Sequence, residues 1–171
     1  MTHFSKISRL PQEARLWLYA CDRVLTPSEQ DFVMTRVQAF MDTWTSHGRP
    51  VLAAAELIEG RLLGIAAVVE EADISGCGID KSVHILEGIG RAMDFRWMTG
   101  LSIAYRTDKG EVQVVERPEF RALVAAGRVL GTTPVIDLSL TQVADLGRIE
   151  QEARETWHSR VFGIPSTNLV A

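Results

Sequence analysis

The order of strand-like and helix-like patterns is the feature that most constrains how this chain can fold. A buried-strand pattern comes first, and the sequence Thr26-Pro27-Ser28-Glu29 then carries the capping-box signature of a helix start. Two β-prone runs joined by a short turn follow, and after them come a second helical pattern and a further strand. This order is that of the split βαβ, or ferredoxin-like, unit. The predicted elements are a strand over 14–20, a helix that starts at Pro27 and breaks at 47–50, strands over 51–58 and 61–69, a helix capped by Asp80 that continues through Met93, and a strand over 101–107.

The rest of the chain adds an extra strand and a C-terminal helical extension to this core. A second hairpin joins 101–107 to 111–115, and a short helix over 118–126, a strand over 133–138 and a helix from about Thr141 complete the pattern. No linker or repeat interrupts the 171 residues, of which 46% are hydrophobic. We therefore predict one α+β domain over 1–171, with an ordered core of about 10–160 and frayed ends.

Composition and missing motifs argue against several functional classes. The chain has 18 basic and 22 acidic residues, a net charge of −4, and its basic residues are scattered, so we expect no nucleic-acid partner. No G-x-x-x-x-G-K-[ST] sequence is present, so ATP hydrolysis by a P-loop is unsupported. The longest apolar stretch, 62–69, is too short to span a membrane. Two cysteines and the absence of a leader-like N-terminus predict a cytoplasmic location.

The predicted topology brings two loops to one end of the sheet. His47 lies in the loop after the first helix and Cys77 in the loop before the second, and right-handed crossovers place both loops at the same edge. A histidine and a cysteine that are far apart in sequence therefore become candidates for one site. In that site, Cys77 is the candidate nucleophile and His47 a candidate base.

The loop around Cys77 has the composition of an anion-binding helix start. Ser75, Gly76 and Gly78 allow the backbone to approach a ligand, and Asp80 is the expected cap or orienting residue. The positive end of the helix dipole lowers the pKa of a thiol, whereas the acidic run just before the loop raises it. Three interpretations of Cys77 stay open: a nucleophile, a metal ligand, or a small buried residue in a tight turn.

The C-terminal motif Trp157-His158-Ser159-Arg160 supplies a second candidate base and a candidate anion clamp. His158 and Arg160 can line a pocket, or the motif can be the amphipathic end of a packed helix. A zinc site would use His47, Cys77, His158 and either Asp73 or Asp80. These residue types suit zinc, but none of them stand at the short spacings of zinc signatures, so we assign no metal ligands.

Several motifs are distinctive in combination and extend over about 10–160 of the chain. They are ARLWLY at 14–19, RVLT at 23–26, WTSHG at 44–48, SGCGID with SV at 75–80 and 82–83, and WH with R at 157–158 and 160. The combination resembles a family of small uncharacterised bacterial proteins whose members often carry the label "ABC transporter ATPase". The label implies no mechanism for a chain without a P-loop. The resemblance implies that His47, Cys77, Asp80, His158 and Arg160 matter together.

Two functional hypotheses follow from these residues. The first is a polar Cys/His site at one end of the sheet that binds a small molecule or an anion or carries out thiol-dependent chemistry. The second is a non-catalytic interaction or regulatory module, in which Cys77 and His47 are structural and a homo-oligomer is one possible arrangement. The sequence identifies neither a cofactor nor a reaction.

Overall fold

The computed structural model describes residues 1–70, 72–98 and 101–165, without the side chain of Cys77. It confirms the α+β class, since helices and antiparallel sheets are both present. The helices are α1 (Pro27–Asp42), α2 (Gly76–Met93), α3 (Arg117–Ala125) and α4 (Trp157–Phe162). The strands are β1 (Arg15–Cys21), β2 (Thr45–Ser46), β3 (Arg49–Pro50), β4 (Leu52–Ile58), β5 (Leu62–Val68), β6 (Trp97–Met98), β7 (Ile103–Arg106), β8 (Val112–Val115), β9 (Pro134–Ile136) and β10 (Glu150–Glu152).

The first sheet has the strand order β4-β5-β1-β6, and its neighbouring strands are all antiparallel. The predicted hairpin between β4 and β5 is confirmed. Glu59 and Gly60 at its tip both have positive φ, 52° and 62°, as a two-residue hairpin turn that follows the strand twist requires. The predicted capping box of α1 is also confirmed, because Thr26 and Glu29 each bind the other's backbone N–H.

The last strand of the predicted βαββαβ pattern differs from the strand that the structure has there. The strand that pairs with β1 on the side away from β5 is β6, in which Met98 lies opposite Ala20 and Trp97 opposite Cys21. The strand predicted at 101–107 is β7, and it belongs to a second sheet. A strand of two residues has no periodicity, so sequence patterns could not separate β6 from the chain around it.

The strands predicted at 101–107, 111–115 and 133–138 do not extend the first sheet but form, with β10, a second sheet of order β10-β9-β7-β8. Its β7–β8 hairpin turns at the predicted Asp108-Lys109-Gly110, where Gly110 has φ +81°. The helix expected from Thr141 is instead a 3₁₀ turn over Val143–Arg148, and the C-terminal helix is α4.

The two sheets pack against each other, and helices cover their outer faces. Alternation along β1 sends Leu16, Leu18 and Ala20 into the core between the sheets. Helices α1 and α2 pack on the other face of the first sheet, and α3 and α4 contribute Phe120 and Phe162 to a core on the outer face of the second. The order of layers is therefore helices, sheet, sheet, helices.

Helix α2 begins earlier than predicted. Its N-cap is Ser75, whose hydroxyl accepts from the Gly78 N–H at 3.3 Å, so Asp80 lies within the helix rather than before it. Because glycine has low helix propensity, Gly76 and Gly78 predict a loop, whereas in the structure they belong to the first turn of α2. No helix within the described ranges has both the length and the apolar composition needed to cross a membrane.

Candidate functional site

The β2–β3 turn, which holds His47, and the start of α2, which holds Cys77, meet at one end of the first sheet. Ser46 is almost completely buried between them, where its hydroxyl accepts from the Ser75 N–H at 2.8 Å and donates to the Asp73 carbonyl at 3.4 Å. These bonds fix the β2–β3 turn against the start of α2. The turn therefore lies beside Ser75, which the sequence places in the predicted binding loop around Cys77.

His47 occupies the tip of that turn and is exposed. Its φ is +51° and that of Gly48 is +76°, so two successive residues adopt the left-handed conformation of a tight hairpin turn. The side chain of Cys77 lies outside the described part of the structure, although its backbone is the second residue of α2. The roles predicted for the thiol, and for His47 as its base, stay predictions.

Gly78 has a packing role that the sequence did not reveal. A Cβ on Gly78 would lie 2.7 Å from Nε1 of Trp44, so the missing side chain makes room for the indole rather than for a ligand. Trp44 is 4% exposed, and its Nε1 is buried with no hydrogen-bond partner among the described residues. A Cβ on Gly76 would meet nothing within 4 Å, so only Gly76 keeps the open backbone predicted for a ligand.

A cleft of about 570 Å³ opens between the C-terminal end of α1 and the first turns of α2. One wall is aromatic: Phe40 and Trp44 stand 4.9 Å apart between ring centroids, and Trp17 supports Trp44 at 6.1 Å. The other wall is polar, because α2 places Asp80, Lys81 and His84 there at the three- and four-residue spacing of one helix face. The remaining lining residues are Thr43, Thr45 and Ile85.

His84 in this wall has a defined tautomer. Its Nδ1 lies 2.7 Å from the Asp80 carbonyl oxygen, and a carbonyl only accepts, so Nδ1 carries the proton. In the neutral ring Nε2 therefore keeps its lone pair as an acceptor. His84 is exposed and is not among the site residues predicted from the sequence. Its spacing of four from Asp80 was the one available signal.

His158 is a packed core residue. It is 1% exposed, its ring stacks on Trp157 at 3.8 Å, and Phe120 lies 6.2 Å away. The Thr156 hydroxyl donates to the Ala153 carbonyl at 3.0 Å, so the Nδ1–H of His158 donates to Thr156 Oγ1 at 2.8 Å. Burial lowers the pKa of His158 to about 4, so the ring is neutral at pH 7.

The structure does not bring His158 and Arg160 to the start of α2. Both lie on α4, where Arg160 is exposed, and α4 packs in the core beyond the second sheet. No described hydrogen bond, ion pair or aromatic contact links α4 to α2 or to the turn of His47. The predicted five-residue site is thus divided into two groups, and Asp80, of the group at α2, lines the cleft described above.

No group of three or more His, Cys, Asp or Glu residues in the described ranges could hold a metal ion. The Cys77 thiol lies outside the described residues, so a metal-ligand set that includes this thiol stays a prediction. Comparisons with protein-family models, curated proteins and solved structures gave no match to this chain.

Proposed function

We propose that this protein binds a small organic molecule in the cleft between α1 and α2. The observation that carries the proposal is the pairing of an aromatic wall with a wall of three hydrogen-bonding side chains. The cleft volume of about 570 Å³ falls within the roughly 300–1,000 Å³ of ligand pockets, which are mainly apolar with a few convergent polar groups. A hydrophobic surface patch without these polar groups would not favour a specific small ligand.

The two walls indicate the chemistry of the ligand. The half-buried ring of Phe40, which the buried Trp44 supports, suits contact with a second ring, since aromatic rings stack or meet edge to face at 4.5–7 Å as a rule. Lys81 donates to an anionic group, and the N-terminal end of α2 adds a positive field nearby. His84 Nε2 accepts from a hydroxyl or amine. We infer a flat aromatic acid that also carries a hydrogen-bond donor.

Ligand-observed NMR tests the proposal with benzoate, 4-hydroxybenzoate, benzylamine and cyclohexanecarboxylate as probes. We expect saturation transfer to 4-hydroxybenzoate most strongly, to benzoate less, and only weakly to the other two. Lys81→Met and Phe40→Leu should each weaken binding about tenfold, the factor for one lost charge-assisted or aromatic contact. Lys6→Met and Phe32→Leu are matched controls, because neither residue lines the cleft.

The absence of binding by all four probes would refute the small-molecule proposal and favour the interaction-module hypothesis. If the Lys81 and Phe40 variants bind the probes as tightly as the unchanged protein does, the assignment of the binding site to this cleft is refuted. Thiol chemistry at Cys77 extends the proposal and has its own test, iodoacetamide labelling against pH. A half-reaction near the free-thiol pKa of about 8.5 would exclude an activated nucleophile.

The strand order also supports a finer description of the fold. We propose that the first sheet with α1 and α2 forms a ferredoxin-like unit. The support is the order β4-β5-β1-β6 with antiparallel neighbours, in which β5 lies between β4 and β1. In this description, the cleft lies on the helical side of the unit, at the end where the two crossover loops meet.

A further inference from the structure

Arg61 is a buried cation whose described partners are all neutral. Arg61 comes directly after the β4–β5 turn in the sequence and is 6% exposed. Nε donates to the Cys21 carbonyl at 3.1 Å and Nη2 to the Asp22 carbonyl at 3.0 Å. Nη1 donates to the Val112 carbonyl at 3.0 Å and to Gln113 Oε1 at 3.3 Å. The guanidinium therefore connects the end of β1 to β8 of the second sheet.

Two acidic side chains that neighbour Arg61 are paired with other arginines. Glu59 receives two hydrogen bonds from Arg106, at 2.9 and 3.0 Å, and the Asp22 carboxylate pairs with Arg96 at 3.4 Å. None of the described ion pairs includes Arg61. A buried charge without a counter-ion is costly, and carbonyl dipoles compensate it only in part. A guanidinium has five N–H donors, and the four described bonds leave one N–H of Nη2 unassigned.

This unbalanced charge borders a second cleft, of about 380 Å³. Lys109, exposed at the tip of the β7–β8 turn, lines the same cleft and adds a second positive charge. Two exposed acidic residues line it as well: Glu111, which opposes the two cations, and Glu59, whose carboxylate is held by Arg106. The cleft shares no lining residue with the one between α1 and α2.

We propose that this cleft binds a small oxyanion, a phosphate or a carboxylate group. Arg61 is the buried anchor, since its position is fixed by four hydrogen bonds before any ligand arrives. Lys109 contributes a mobile charge from the turn, and Glu111 limits the affinity by repulsion. The proposal is independent of the aromatic-acid cleft, because it rests on different residues and a different ligand group.

Nitrogen-15 NMR of the arginine side chains tests the proposal directly. The full-length protein is titrated with sodium phosphate, sodium acetate or sodium chloride at constant ionic strength. We expect the Arg61 Nε–Hε signal to move saturably with phosphate or acetate and not with chloride, and the stronger response identifies the anion class. The Arg96 signal serves as an exposed reference that only follows ionic strength.

Variants separate an anion site from a purely structural arginine without altering Arg61. Lys109→Met should weaken the binding about tenfold, and Glu111→Gln should strengthen it about threefold, by removing one attraction and one repulsion. Lys6→Met should change nothing. The proposal is overturned if the Arg61 signal shows no saturable shift in phosphate or acetate, or if the Lys109 and Glu111 variants bind as the unchanged protein does.

Discussion

Gly78→Ala is the substitution whose effect the structure predicts most sharply. At an open helical position, glycine to alanine stabilises a protein by about 0.5–1 kcal/mol. At Gly78, however, the added methyl group would lie 2.7 Å from Trp44 Nε1. Trp44 cannot move away freely, because Phe40 and Trp17 pack against its ring.

The expected magnitude follows from two opposing contributions. Overpacking a tight site costs about 1–3 kcal/mol, which outweighs the gain in helix propensity. We therefore expect Gly78→Ala to lower the free energy of unfolding by about 1–2 kcal/mol, or the melting temperature by about 2–8 °C for a chain of this size. Gly88→Ala is the matched control in the same helix, since a Cβ at Gly88 meets nothing within 4 Å. It should raise the stability by about 0.5–1 kcal/mol.

Urea unfolding followed by circular dichroism gives both values from midpoints at a common slope. Trp44→Phe removes the atom that the new methyl group meets, so Gly78→Ala should cost less in the Trp44→Phe background than alone. The reasoning is refuted if Gly78→Ala and Gly88→Ala stabilise the protein equally. Strict additivity of Gly78→Ala with Trp44→Phe would also contradict it.

Two further predictions concern stability against pH. Burial lowers the pKa of His158 from 6.5 to about 4. Between these pH values the unfolded chain binds a proton at His158 and the folded chain does not, so the free energy of unfolding should decrease as the pH is lowered from 6.5 to 4. In the His158→Gln variant the urea midpoint should vary less with pH over this range. An unchanged dependence of the midpoint on pH would contradict a neutral core histidine. Burial alone would raise the pKa of Glu150, but hydrogen bonds from Arg106 and Thr2 outweigh it and hold the pKa at about 2, against 4.5 ordinarily. The stabilisation from Glu150 is present above pH 4.5 and is lost as the pH falls toward 2, so Glu150→Gln should lose stability at neutral pH and little at pH 2, as urea midpoints will show.

The elements that local chemistry defines could be predicted from the sequence. The capping box at Thr26 and the turn glycines Gly60 and Gly110 carry their signals within a few residues, so α1 and both hairpins were found. Strands β6 and β10 could not be found, because they have two and three residues and exist only through their pairing partners. Glu150–Glu152 also lacks any apolar alternation.

The candidate site shows the same division. The meeting of the His47 and Cys77 loops follows from topology and was predicted. The cleft was missed because its aromatic wall comes from α1 and the residues just after it, far in sequence from His84. Within α2, Gly90 allows a close approach, since its Cβ would meet the Phe95 carbonyl at 2.8 Å, whereas a Cβ at Gly88 would meet nothing within 4 Å.

The contact between the two sheets has a consequence for the newly made chain. All four strands of the first sheet lie within 15–98, whereas its partner sheet begins only at Ile103 and is completed by Glu152. A nascent chain that has emerged as far as β6 therefore holds an apolar face, including Leu16, Leu18 and Ala66, that its partner sheet does not yet cover, although the N-terminal Phe4 and Ile7 pack on part of it. Until about fifty more residues have emerged, that face is a site for chaperone binding or aggregation during translation.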